Sequence, residues 1–207
     1  AGINTRNAAV SSDGKWVAVA NYLPHSLVIL DAELNPVRVL DAADQAGTTS
    51  SRVSAVYDAP PRHSFVVALK DVKEVWEVSY DPQAADIPRG MVHDFRYKEG
   101  AFGPGFLNPK RIAVDDYLDD FFFTQDYRSI LGASREPGPD GRSGQVVNLD
   151  VRRKVADLQL PGMPHLGSGI TWTWRGRTVM ATPNLNEGVV SIIDTATWQP
   201  VKQIKTR

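Results

Sequence analysis

Four histidines, at positions 25, 63, 93 and 165, are the side chains of this chain best suited to proton transfer near neutral pH. Three of them read as structural: His25 in a hairpin turn, His63 in the loop "APPRHS" and His93 in "MVHDF". His165 differs. It stands in "GMPHLGSGITW", after a proline and ahead of Gly167 and Gly169, where glycines let a backbone lie close to a neighbour. An imidazole presented there can serve as a general base. No His-x-His or His-x-x-x-His pair occurs, so the spacing does not suggest a metal site made of this chain's own side chains. Cysteine is absent, which removes disulfides, thiolate ligands and a Cys-x-x-Cys-His haem attachment from these residues. "GSGITW" lacks the strand-turn-helix setting of a nucleophile elbow, and its glycines open no helix as a dinucleotide fingerprint requires.

Arginine is the second candidate. Arg6 in "NTRNAAV", Arg52 in "SSRVSAV" and Arg111 in "PKRIAV" each precede an apolar run that would be the innermost strand of a repeat. Guanidinium groups gathered at such positions suit a polycarboxylate ligand through bidentate pairing. Pairing with Asp13, Asp58 or Asp115 is the competing reading, and the sequence holds the two level.

The elements that must position these residues are short strands. "KWVAVAN" and "SLVILD" form a hairpin pattern across Tyr22-Leu23-Pro24-His25. "SFVVALK" with "EVWEVSYD", "SILGAS" with "GQVVNLD", and "TVMATP" with "GVVSIID" repeat it. The second run of each pair ends at Asp31, Asp81, Asp150 or Asp194, and further β-prone runs follow, such as "NPVRVLD", "RKVADLQL" and "WQPVKQIK". "DFFFT" reads as another strand, outer or inner. Self-similarity at about 45 to 65 residues is the signature of β-propeller blades, each a four-stranded antiparallel sheet. The expectation is an all-β single domain over 1–207, made of about four blades. An array that does not close exposes apolar faces, so a part of a larger propeller is expected over an unusual four-bladed one.

The formal net charge is −1, with 42% hydrophobic residues. That offers no bulk electrostatic case for nucleic acid or an anionic membrane. No apolar run approaches the roughly 20 residues of a membrane helix, and no signal peptide is legible.

Three stretches together resemble the d1-haem domain of the cytochrome cd1 nitrite reductase family. "NTRNAAVSSDGKWVAVANYLPHSLVILD" is similar to a stretch where an arginine opens a blade and a Tyr-x-Pro turn precedes a strand. "SSRVSAVYDAPPRHSFVVALKDVKEVWEVSYD" is similar to a blade with a lysine turn. "HLGSGITWTWRGRTVMATPNLNEGVVSIID" is similar to the family's His-x-Gly-x-Gly segment. The resemblance implies an eight-bladed propeller with d1 haem in its funnel, of which this chain is about half. It implies a proximal haem ligand upstream of residue 1 and haem c in a further upstream domain. On that footing the 207 residues alone would bind haem weakly and be inactive.

The resemblance also implies a site. His165 falls on one of two distal histidines of the reductase and Tyr127 on the other; a phenol is a poor acid at neutral pH, so nitrite reduction is not expected. A further reductase histidine falls at Asn184. The chain is thereby expected to be closest to the cytochrome-fused NirN-type biogenesis member, which oxidises a propionate of dihydro-haem d1 to the acrylate of haem d1. The NirF-type assembly protein, or a carrier without turnover, is the alternative. His165 and Tyr127 are then the expected catalytic pair. Arg6, Arg52, Lys70, Tyr22, Gly167 and Asn184 are the expected contacts to haem d1 or dihydro-haem d1. A periplasmic location follows, with cytochrome cd1 nitrite reductase and other d1-haem biogenesis proteins as partners.

Overall fold

The computed structural model describes residues 2–94, 99–133, 143–160, 164–165, 169–184 and 186–206. It is all-β. The first sheet holds β1 (Asn4–Val10), β2 (Trp16–Leu23), β3 (Ser26–Asp31) and β4 (Pro36–Asp41) in chain order. The second holds β5 (Val53–Ala59), β6 (Ser64–Leu69), β7 (Glu74–Ser79) and β10 (Pro109–Ala113). Between β7 and β10 the chain leaves to form a two-stranded hairpin, β8 (Ile87–Asp94) and β9 (Glu99–Gly103). The third sheet is β11 (Asp120–Phe123), β12 (Ser129–Ala133), β13 (Gly144–Asn148) and β14 (Arg153–Leu158). The fourth is β15 (Ile170–Trp174), β16 (Arg177–Pro183), β17 (Val189–Asp194) and β18 (Gln199–Lys205). These are the four-stranded antiparallel sheets that the repeat predicts.

Burial explains which runs were legible. Every residue of β6, "SFVVAL", is buried, because a middle strand packed on both faces needs apolar or small side chains throughout. The fourth strands carry less of the core: β4 is exposed except at Leu40, and β18 has no fully buried residue. Among the described residues no helix is long and apolar enough to cross a membrane.

The repeat extends to individual hydrogen bonds. In the β1–β2 turn, Ser11 Oγ donates to Asp13 Oδ1 (2.6 Å), which also accepts from Lys15 N (3.1 Å), while Trp16 N donates to Ser11 Oγ (3.0 Å). In the β11–β12 turn, Thr124, Asp126, Arg128 and Ser129 make the same three bonds at 2.7, 3.1 and 3.0 Å. Gly14 has φ +70° in the first turn, and Tyr127 takes the same left-handed place with φ 55° in the other.

The chain divides into two compact units, Ala1–Val67 with Trp76–Arg111, and Ala68–Val75 with Ile112–Arg207. In the first, the Asn7 carboxamide clamps β1 to β5: Nδ2 donates to Val56 O (2.8 Å) and Oδ1 accepts from Val56 N (3.2 Å). In the second, Leu131, Ala133, Val146, Leu158, Leu160, Met180 and Ile193 form one core between the third and fourth sheets, with Trp198 packed against it.

One expectation about the strands fails. Arg111 does not precede an innermost strand; it lies within β10, the fourth strand of the second sheet. Its guanidinium stacks 4.7 Å from the Trp76 ring centre and donates to Ala43 O (2.7 Å). The β8–β9 insertion caused the error, since it delays the fourth strand and makes "RIAV" look like the start of the next repeat.

Candidate functional site

An antiparallel four-stranded meander gives each sheet two distinct ends. The segment arriving at the first strand, the turn between the second and third strands, and the exit from the fourth strand share one end, here called upper. The other two turns lie at the lower end. Backbone bonds bear this out: Val114 N donates to Lys73 O (3.0 Å), and Thr206 N to Gly188 O (2.6 Å).

In the first unit, the upper ends bring two expected contact residues together. Arg52, arriving at β5, lies over the ring of Tyr22, near the end of β2, 5.4 Å from its centre. The same two segments are joined by His25 Nδ1 and Ser50 Oγ at 2.8 Å, by Ala42 N to His25 O (2.9 Å) and by Ser51 N to Ala42 O (2.7 Å). His25 is therefore structural. Arg6 sits at a bulge of β1, where pairing jumps from Thr5–Asn21 to Asn7–Ala20. A bulge re-aims the side chain of its extra residue. Arg6 is exposed, and its guanidinium has no carboxylate partner among the described residues. The acids considered as its partners are engaged elsewhere. Asp13 takes Ser11 and Lys15, and Asp58 accepts from Tyr80 Oη (2.8 Å). Asp115, in the second unit, takes Lys154.

In the second unit, His165 is half-buried and its backbone is pinned. Its N donates to Pro183 O (2.9 Å), and Pro164 forms an isolated antiparallel bridge with Asn184. Asn184, expected to touch the cofactor, is 8% exposed. Its Oδ1 instead accepts from Asn186 N (2.9 Å) and Glu187 N (3.2 Å), and its N donates to Val189 O (2.7 Å). These bonds shape the β16–β17 turn on which the His165 segment rests. Gly167 lies outside the described residues.

Lys70, at the end of β6, is ion-paired with Asp119, which stands just before β11. Its ammonium is thus already matched with an acid, which the sequence did not foresee. Asp119 holds the same topological place before the third sheet that His165 holds before the fourth. The signal was present in "YLDDFFFT", where an acid immediately precedes the first strand.

Tyr127 is the clear departure. It lies in the β11–β12 turn at the lower end of its sheet, with its ring 4.9 Å from that of Phe123. Four residues of β11, about 13 Å of strand, separate that turn from Asp119. The topology does not join Tyr127 to His165. The turn pattern shared with Ser11 and Asp13 accounts for its position.

In the first unit the upper ends carry Arg6 and Arg52 with the Tyr22 ring, and in the second they carry the His165 imidazole and the Lys70–Asp119 pair. The arginines suit carboxylates. The sequence matches the cytochrome D1 heme domain over residues 1–104 and again over 103–207. The chain belongs to the cytochrome d1 haem domain family. Over all 207 residues it is 54% identical to a dihydro-heme d1 dehydrogenase of Pseudomonas aeruginosa, covering 37% of that protein. It is similar, with TM-score 0.82 and 53% identity, to the structure of dihydro-heme d1 dehydrogenase NirN in complex with DHE, covering 100% of this chain and 39% of that one. The chain therefore spans under two fifths of these relatives' length. Protein NirF of Stutzerimonas stutzeri is 36% identical over 81 residues, 38% of this chain and 20% of that protein. The β-propeller domain of Cps50 (Swd1) from Myceliophteria thermophila shares the fold at 12% identity, TM-score 0.58, over 100% of this chain and 56% of that one.

Proposed function

We propose that this chain supplies part of the tetrapyrrole site of a dihydro-haem d1 dehydrogenase. The observation that carries the reading is the 54% identity over its whole length to a protein of that name. The reaction converts a saturated propionate to an acrylate, –CH2–CH2–COO⁻ to –CH=CH–COO⁻, releasing two protons and two electrons. A base near the carbon and an electron acceptor are both required.

His165 is the base. A neutral imidazole has a ring nitrogen free of hydrogen that can accept a proton. The bond from its N to Pro183 O and the neighbouring Pro164–Asn184 bridge fix the backbone that carries it. Such fixing keeps a reacting group within reach without an ordering cost at each turnover. Arg6 and Arg52 bind carboxylates of the substrate, and Tyr22 holds the Arg52 guanidinium by its ring face. The electrons leave to a one-electron acceptor of the haem c class. A periplasmic location and delivery of the product to cytochrome cd1 nitrite reductase go with this reading.

The test is His165→Ala and His165→Gln in the full-length protein, with dihydro-haem d1 oxidation followed by absorbance. Tetrapyrrole binding should persist while turnover falls by at least about a hundredfold, the lower range for losing a general base. Unchanged turnover would remove His165 from the reaction. Binding without turnover in the wild type would instead indicate a carrier.

A further inference from the structure

We propose that the Lys70–Asp119 pair is a subsite for an uncharged hydrogen-bond acceptor of the ligand, and that Asp119 sets this specificity by excluding a carboxylate. The inference rests on the tetrapyrrole reading above and adds a discriminating residue to it.

Lys70 and Asp119 lie at the upper ends of their two sheets, and neither side chain is sealed off. Lys70 is 21% exposed and Asp119 11%. The carboxylate cannot easily swing away. Asp119 N donates to Ala133 O (2.8 Å), and the preceding residue, Leu118, is buried against Gly132, where an added Cβ would come within 2.6 Å of Leu118 Cδ2. The segment is held further by Val114 N on Lys73 O (3.0 Å), by Lys73 over the Tyr117 ring (5.4 Å) and by Gln145 Nε2 on Asp116 O (3.0 Å).

An ammonium has three donors, and Asp119 takes one of them. Two remain for a ligand, but the pair as a whole is neutral. A ligand carboxylate reaching the same ammonium would stand beside the Asp119 carboxylate, and like charges so close oppose each other. A carbonyl oxygen accepts the same N–H without that repulsion. A lone lysine here would be a carboxylate clamp like Arg6; with Asp119 it becomes an ordered donor to a neutral acceptor. The two arginines bind the acidic side chains, and Lys70 takes an oxygen that carries no charge.

The experiment measures dihydro-haem d1 affinity in the full chain at several salt concentrations for wild type, Asp119→Asn, Lys70→Met and the double variant. Lys70→Met removes a charged donor from a neutral oxygen, so affinity should fall about tenfold with little dependence on salt. Asp119→Asn should change affinity by less than about tenfold, because no ligand carboxylate stands beside it, and the double variant should bind no better than Lys70→Met. A rise of about tenfold or more in Asp119→Asn, with a steeper salt dependence, would show a ligand carboxylate at Lys70 and overturn the proposal. So would unchanged binding in Lys70→Met, since Lys70 would then not touch the ligand. If Asp119→Asn does not fold, Lys70→Met decides alone. A second arm uses citrate as probe and reads protection of Lys70 from acetic anhydride by mass spectrometry. Protection in Asp119→Asn but not in wild type supports the exclusion of carboxylates, and protection in wild type refutes it. This arm stands even if wild type binds no tetrapyrrole, a result that would sink the functional reading instead.

Discussion

Pro164 and Asn184 form a single antiparallel bridge, and through it the segment carrying His165 is fastened to the turn between β16 and β17. Asn184 shapes that turn with its own side chain, so the imidazole depends on a carboxamide that need not touch the ligand.

Removing that carboxamide should uncouple the two. Asn184→Ala strips the acceptor from Asn186 N and Glu187 N and is expected to cost about 1–2 kcal/mol in urea unfolding. The turnover number should fall more than KM changes, because the base loses its placement while the carboxylate contacts remain. Asn184→Asp keeps the acceptor and should retain most of both. Equal loss in the two variants would show that the turn bonds do not matter.

Tyr127 should prove dispensable for chemistry. Tyr127→Phe is expected to leave turnover unchanged, because the residue sits at the lower end of its sheet. Tyr127→Gly relieves the left-handed backbone, a cost of about 1 kcal/mol or more, but forfeits a ring contact with Phe123 of similar size. Thermal unfolding should therefore shift little in either direction. A large fall in turnover with intact stability would return Tyr127 to the site.

Asp58 makes the fold sensitive to pH. Burial raises its carboxyl pKa above the usual value, and hydrogen bonds from Tyr80 and from Ser12 N only partly oppose this. Asp13 also faces it and adds repulsion. A folded pKa above the unfolded one means that this contribution is present at low pH and is lost as pH rises through the folded value. Asp58→Asn should remove that dependence. In urea titrations, wild type should lose stability relative to the variant as pH rises from below the ordinary aspartate range to above it. A constant difference across pH would contradict the assignment.

Glu77 is a buried carboxylate, 4% exposed, and pairs with Arg62 at 2.8 Å, with Lys110 at 3.8 Å. Arg62→Ala leaves that charge with the more distant lysine and should destabilise the protein by about 3 kcal/mol. Arg62→Met with Glu77→Leu should recover most of the loss, because it removes the stranded charge. Chemical denaturation of the three variants checks both statements, and equal stability of the single and double variants would refute them.

The sequence by itself determined the fold class and most of the strands. Apolar runs such as "SFVVAL" and "SIID" bounded by turn residues are a local signal, and their repetition exposed the blade. It also singled out His165, Arg6, Arg52 and Tyr22, whose upper-end positions follow from strand order. Tertiary structure decided which residues share an end. The β8–β9 insertion moved Arg111 into a fourth strand, and one turn of chain carried Tyr127 to the far side of its sheet. Lys70 acquired Asp119 from 49 positions away. Strand identity is written in neighbouring residues, whereas the charge state and company of a side chain depend on what folding brings beside it.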